Sequence, residues 1–187
     1  QVLPEDYSML HTGWWSNVKS DENGVYQTPP TLTFTFTEDI SCAGFTLNFD
    51  TKAGEFPAEY TIHTYDAGNS LVSSGTFQNE SAESVEELPS EGIRKVVFTF
   101  TKSWLPGHYV RVSSVVFGLV QRFNNDSLIS ADSLMEASLS MDTLPSGEFT
   151  FTFDNMDNKY NLLNPNSLYR FLQAQQTIDA QWEINRE

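Results

Sequence analysis

The sequence predicts an all-β protein: an antiparallel sandwich followed by a smaller β-rich segment with one short helix. Apolar residues recur with a period of two in several separate runs, the signature of strands with one buried face. Gly, Pro, Asn and Asp cluster between those runs, where a chain reverses. No convincing helical period interrupts the first 118 residues, so strands must pack on strands.

Each element follows from these patterns. Thr31-Leu-Thr-Phe-Thr-Phe-Thr37 alternates threonine with Leu32, Phe34 and Phe36, which face the core. Phe45-Thr-Leu47-Asn-Phe49 repeats the alternation, and Tyr60 to Tyr65 follows it more loosely. Val96 to Thr101 and Tyr109 to Phe117 read as two more strands. Asp66-Ala-Gly68-Asn69 suits a hairpin turn after the Tyr60 run, and Leu105-Pro106-Gly107 closes the chain before Tyr109. Between Asn79 and Gly92 lie Glu80, Glu83, Glu86, Glu87 and Glu91. That stretch reads as a solvated loop holding a short strand around Val85.

The texture changes near residue 119. The polar stretch 119–127, with Asn124-Asn125-Asp126, reads as a linker between a domain at 1–118 and a segment at 128–187. In that segment Leu134 to Met141 is a candidate strand, Leu144-Pro-Ser-Gly147 a turn, and Glu148 to Phe153 a strand with its phenylalanines on one face. Asp154 to Asn158 is a polar turn, Asn166 or Ser167 caps a short helix through Gln173, and Thr177 to Ile184 is a last strand. About 60 residues bury little surface alone. The segment is therefore expected to pack on the first domain or to belong to a domain that continues in a longer parent. A chain that begins at Gln1 and stops just after Trp182-Glu-Ile184 fits an excised segment.

Charge removes some classes of function. The formal net charge is −15, and the 10 Lys and Arg are scattered, so no basic face tracks phosphates. Nucleic acid and anionic membrane surfaces are set aside as partners on that ground, and no apolar run is long enough to span a bilayer. The acidity serves solubility or attracts cations such as Ca²⁺. The single cysteine, Cys42, excludes an intrachain disulfide and reads as a buried thiol at a strand start.

The chemistry of catalysis is missing from the sequence pattern. His11, His63 and His108 have no metal-ligand spacing, and no nucleophile elbow or phosphate-binding glycine loop occurs. The Asp154-x-x-Asp157 turn lacks the spacing of a calcium loop and reads as a side-chain-capped turn. Two of the many carboxylates could still meet as a glycosidase pair, which keeps a glycoside-hydrolysing module open. The tryptophans are more informative. Trp14 and Trp15 precede the first clear strand on an entry loop, and their side chains point opposite ways if the segment is extended. One then plugs the core while the other is free to stack on a sugar ring. Trp104, in Lys102-Ser-Trp-Leu-Pro-Gly107, is a second stacking candidate; the alternative is that all three cap the core.

Two resemblances carry further expectations. Trp15-Ser16, the run Tyr60-Thr-Ile-His-Thr-Tyr-Asp-Ala-Gly68 and Gly107-His-Tyr-Val-Arg-Val-Ser113 resemble the discoidin and galactose-binding-like jelly rolls over residues 5–118. That resemblance implies a jelly-roll sandwich that binds carbohydrate or lipid through loops at one end, in many members beside a structural Ca²⁺. Arg111 would be the arginine of the family's late strand. The paired terminal cysteines of the family are absent. The second resemblance runs through Ser130-Ala-Asp-Ser-Leu134, Leu144-Pro-Ser-Gly-Glu148, Phe151-Thr-Phe-Asp-Asn155, Lys159-Tyr160, Asn164-Pro165 and Leu172 to Gln176. This longer pattern is similar to phage tail and baseplate proteins. Together they imply a non-catalytic structural protein of a phage tail-like particle, acting outside the cell. Its jelly roll would bind cell-surface carbohydrate through Trp14, Trp15, Trp104, His108 and Arg111, and its neighbours would be other tail or baseplate subunits. A purely structural assembly module with no small ligand is the alternative.

Overall fold

The structure is a computed structural model that describes residues 13–51, 53–119, 127–135, 147–165 and 167–171. The chain divides into two compact units, Gln1–Val120 and Gln121–Glu187. The expected strand at Thr177 to Ile184, the turn at 144–146, residues 136–141 of the Leu134 strand, residues 120–126 of the linker and residues 172–173 of the helix lie outside the described residues.

The first unit is an all-β antiparallel sandwich. Its strands are β1 (Trp14–Trp15), β2 (Thr31–Phe49), β3 (Pro57–Tyr65), β4 (Leu71–Gln78), β5 (Glu83–Ser103) and β6 (Arg111–Val116). They form one hydrogen-bonded sheet in the order β1-β6-β2-β5-β3-β4. Strands β2 and β5 pair along nearly their whole lengths, from Thr31↔Thr99 to Asn48↔Glu83. Their first and second halves have different outer neighbours. Residues 46–49 of β2 pair with β6, whereas residues 95–103 of β5 pair with β3. The long ribbon thus belongs to two layers, and it bends between them. Register shifts between Thr35 and Gly44 mark the bend, and Gly92 takes it on the other strand with φ +63°. Gly44 is required for a different reason: a Cβ there would lie 2.1 Å from the Glu86 carbonyl oxygen.

The core fills the space between the layers. Phe45, Leu47 and Phe49 from one layer meet Tyr60, Ile62, Val96, Phe98 and Phe100 from the other, all buried. The rings of Phe45 and Phe98 meet edge to face at 5.7 Å, as do those of Phe49 and Phe100 at 6.5 Å. The Thr31–Thr37 alternation is realised as expected, with Leu32, Phe34 and Phe36 half-buried and the four threonines exposed.

Three expectations are corrected. The runs at Thr31 and Phe45 are one bent strand, so Cys42 lies mid-strand rather than at a start; it is buried, and burial pushes its thiol up to about 11. The entry segment Trp14–Trp15 is a short strand paired with Val112 and Arg111, not a loop. The acidic stretch is not a solvated loop: Glu83 to Ser90 is the first half of β5. Its inward positions, Ser84, Glu86, Leu88 and Ser90, are mostly polar, so hydrophobic alternation gives no signal there. Hydrogen bonds replace it. The Tyr60 hydroxyl lies 2.8 Å from Ser84 Oγ and donates to Glu86 Oε1 at 2.9 Å, and Thr64 Oγ1 lies 3.4 Å from Ser90 Oγ.

The second unit contains an antiparallel hairpin of β7 (Leu128–Met135) and β8 (Gly147–Phe153), so its first strand starts six residues earlier than the sequence pattern indicates. Phe149, Phe151 and Phe153 stack along one face, with Tyr160 edge-on to Phe153 at 5.0 Å. The polar turn is side-chain-capped. Asp154 Oδ1 accepts from the Met156 amide at 2.9 Å and Asp157 Oδ1 from the Lys159 amide at 3.0 Å. Ser167 caps a 3-10 helix, Leu168–Phe171, by accepting from the Tyr169 amide at 3.0 Å.

Candidate functional site

Three connecting segments meet at one end of the sandwich: 16–24, 50–51 with 53–56, and 104–110. Backbone hydrogen bonds stitch them together. Ser16 N donates to the Val110 carbonyl at 2.9 Å, Ser20 N to His108 at 3.0 Å and Trp104 N to Phe56 at 3.0 Å. Arg111 N donates to the Glu55 carbonyl at 3.1 Å, and Asp50 N to the Arg111 carbonyl at 3.2 Å. Asp21 organises the first segment. Its Oδ1 accepts from the Asn23 and Val25 amides, both at 2.9 Å, and its Oδ2 from Gln27 Nε2 at 3.0 Å. The Val25 bond does most to hold its carboxyl below the usual range.

At the centre stands Glu55, a carboxylate in a residue only 5% exposed. A buried carboxylate must be paired. Arg111 Nε pairs with Glu55 Oε2, and His108 Nδ1 lies 3.1 Å from Glu55 Oε1. Arg111 Nη1 also reaches Asp50 Oδ2 at 3.2 Å. Its guanidinium carbon sits 3.6 Å above the Trp15 ring, a cation-π contact. Tyr109 lies 6.4 Å from Trp15 and carries Lys19 Nζ 5.0 Å from its own centroid. Below them, the Tyr26 hydroxyl donates to the His108 carbonyl at 3.2 Å; burial pushes that phenol up to about 12.

The five sequence-derived residues therefore separate into three roles. Trp14 turns inward, 5.6 Å from Phe100 and packed against the core. Trp15, Arg111 and His108 join one ion-pair and ring-stacking network. Trp104 alone is strongly exposed, at 46%, and its ring stacks on Phe56 at 5.5 Å with 23° between the planes. The opposite orientation of Trp14 and Trp15 was legible from an extended backbone. Glu55, Asp50 and Phe56 were not singled out by sequence. The only signal was Gly54-Glu-Phe-Pro57, a loop bounded by glycine and proline.

The chemical capacity of this end follows from its parts. Trp104 on Phe56 offers an apolar ring face to a ligand, and His108, with a side chain 41% exposed, offers a polar edge. Arg111 is occupied by two carboxylates and an indole, so it braces the end of the sandwich. Glu55 and Asp50 meet on Arg111 as a charge-compensated set. For a cation, among the described residues no three His, Cys, Asp or Glu side chains converge as a metal site, and the Asp154 and Asp157 carboxylates accept from backbone amides. The chain matches no protein-family model, no curated protein and no solved structure.

Proposed function

We propose that this chain is a non-catalytic structural protein of a phage tail-like particle, working outside the cell, whose sandwich binds cell-surface carbohydrate at the Trp104 end. The observation that carries the carbohydrate reading is Trp104 itself. A tryptophan 46% exposed and backed by a second aromatic ring stands as a rigid stacking platform. Pyranose rings present an apolar face to such a surface, and loop residues on a rigid scaffold supply the polar contacts. Arg111 and Trp15 contribute by bracing the end rather than by touching the sugar. Binding by one such platform is weak, and several copies on one particle would raise it through avidity. Other tail or baseplate subunits are the partners in this reading, and nucleic acid and membrane are not.

The test is a glycan array or a cell-wall pull-down with the wild-type chain and Trp104→Ala. Signal falling by about tenfold or more in the variant is expected, with the fold intact by circular dichroism. Wild-type-like signal removes the platform from the proposal. A second reading, an assembly module without a small ligand, draws on Trp15, Arg111, Asp50 and Glu55, which spend their polar groups on one another. Absence of glycan signal from the wild-type chain favours it.

A further inference from the structure

The outward face of the layer built from 31–37 of β2, 95–101 of β5, β3 and β4 carries an ordered array of side chains. Thr31 pairs with Thr99, Thr99 with Thr61, and Thr61 with Thr76, which makes one row of four threonines across four adjacent strands. The next row on the same face is Thr33, Val97, His63 and Ser74, and the one after it holds Thr35, Lys95, Tyr65 and, across a register shift, the exposed Leu71. The inward neighbours of these positions, Tyr60, Ile62, Val96 and Phe98, are fully buried, so alternation turns this whole set outward. Thr31, Thr33, Thr35, Ser74 and Thr76 are exposed; the residues on the central strands are half-buried between them. The core explains the inward set and nothing in the fold requires hydroxyls on the outer one.

We propose that this face is a second docking surface, built from residues other than the Trp104 end, and that its occupant is a neutral polysaccharide chain laid across the four strands. Charge selects the occupant. The three rows contain no carboxylate and one cation, on a chain of net charge −15. That cation, Lys95, sits 4.3 Å from the Tyr65 ring centroid and bonds to Asn69. An anionic polymer meets an acidic protein with one occupied lysine, and a cationic partner finds Glu59, bordering the first row, already bonded to Thr101 Oγ1 and Gln78 Nε2, both at 2.7 Å. A neutral ligand is the complement of such a surface. The residue types agree. Each hydroxyl both donates and accepts, as sugar hydroxyls require, while Val97, the threonine methyls and the His63–Tyr65 ring pair at 6.5 Å give apolar contact. Protein interfaces concentrate Trp, Tyr, Phe, Met and Arg, and of those types these rows hold Tyr65 alone. The array is also stiff. Threonine and valine have few rotamers, and paired strands fix their spacing at roughly 4.8 Å across and about 6.8 Å along, so little conformational freedom is lost on binding.

The experiment uses the full chain and affinity electrophoresis through gels containing dextran, galactomannan or a soluble β-glucan as neutral polymers, and alginate as the anionic control. At least one neutral polymer should retard the protein and alginate should not. The double variant Thr33→Arg, Ser74→Arg places bulk and charge at both sides of the middle row, and its retardation constant should fall about tenfold or more. Thr76→Lys, a single exposed change, serves if the double variant melts early, and predicts the same direction. Trp104→Ala tests the other end separately: retardation that survives Trp104→Ala but not the face variants supports this proposal. Retardation that survives the face variants, or no retardation by any neutral polymer, overturns it. Concentration-dependent dimers in sedimentation, abolished by the same face variants, would assign the face to a second copy and also overturn it.

Discussion

Along β5, the segment from Lys95 to Ser103 and the segment from Glu83 to Ser90 line one core with different chemistry. The first buries Val96, Phe98 and Phe100 with no exposure and closes against Phe45 and Phe49 from the facing layer. The second turns Ser84, Glu86, Leu88 and Ser90 inward and is held by the Tyr60 hydroxyl and by Thr64. The Glu55–Arg111–Asp50 network adds a third kind of contact at the loop end. The difference teaches how one long strand can serve two layers. The apolar half supplies the stabilisation, because burial is favourable in proportion to area. The polar half supplies registration: its bonds are directional, and one slipped residue would leave buried hydroxyls unpaired.

Variants in each region sharpen that contrast. Phe98→Ala removes a ring at the meeting point of both layers and should cost about 3–5 kcal/mol, read from the chemical-denaturation midpoint. A cost below about 1 kcal/mol would mean that the aromatic half does not carry the fold. Arg111→Met keeps the length of the side chain but leaves the buried Glu55 carboxylate without its guanidinium. The expected loss is about 3 kcal/mol at neutral pH. An unchanged melting temperature would show that this cluster is decoration on a loop end. Tyr60→Phe preserves the ring and deletes only the hydroxyl, so the expected loss is about 1–2 kcal/mol. The same variant changes the alkaline limb. Burial raises the Tyr60 phenol well above its usual 10, so the unfolded chain loses that proton first. The contribution is therefore complete below about pH 10 and declines as pH rises past it, and Tyr60→Phe should flatten that decline in a denaturation series across alkaline pH. A limb of unchanged slope would move the effect to other groups.

The apolar half was legible in the sequence and the polar half was not, for one physical reason. Leu32, Phe34 and Phe36 alternate with threonine because a sheet face sorts by solvent, and that sorting is written in residue type. Ser84, Glu86 and Ser90 are inward only because Tyr60 and Thr64, from 20 or more residues away, meet them. The loop end shows the same division. Trp14, Trp15 and Trp104 attract notice as residue types, yet which of them is inward, braced or exposed depends on Phe100, Arg111 and Phe56. Glu55 looks like one acidic residue among many until its burial and its two partners are seen.

By itself the sequence determined the fold class, the turns at Asp66–Asn69 and Leu105–Gly107, and the outward threonines of the first long strand, because solvent sorting and turn chemistry act locally. The tertiary structure decided that two runs are one bent strand, that an acidic stretch enters the sheet, and that threonines distant in sequence stand in a single row. It also decided which tryptophan meets solvent. Each of those outcomes depends on pairing between segments far apart in the chain, where a residue's partner, rather than its own type, sets its environment.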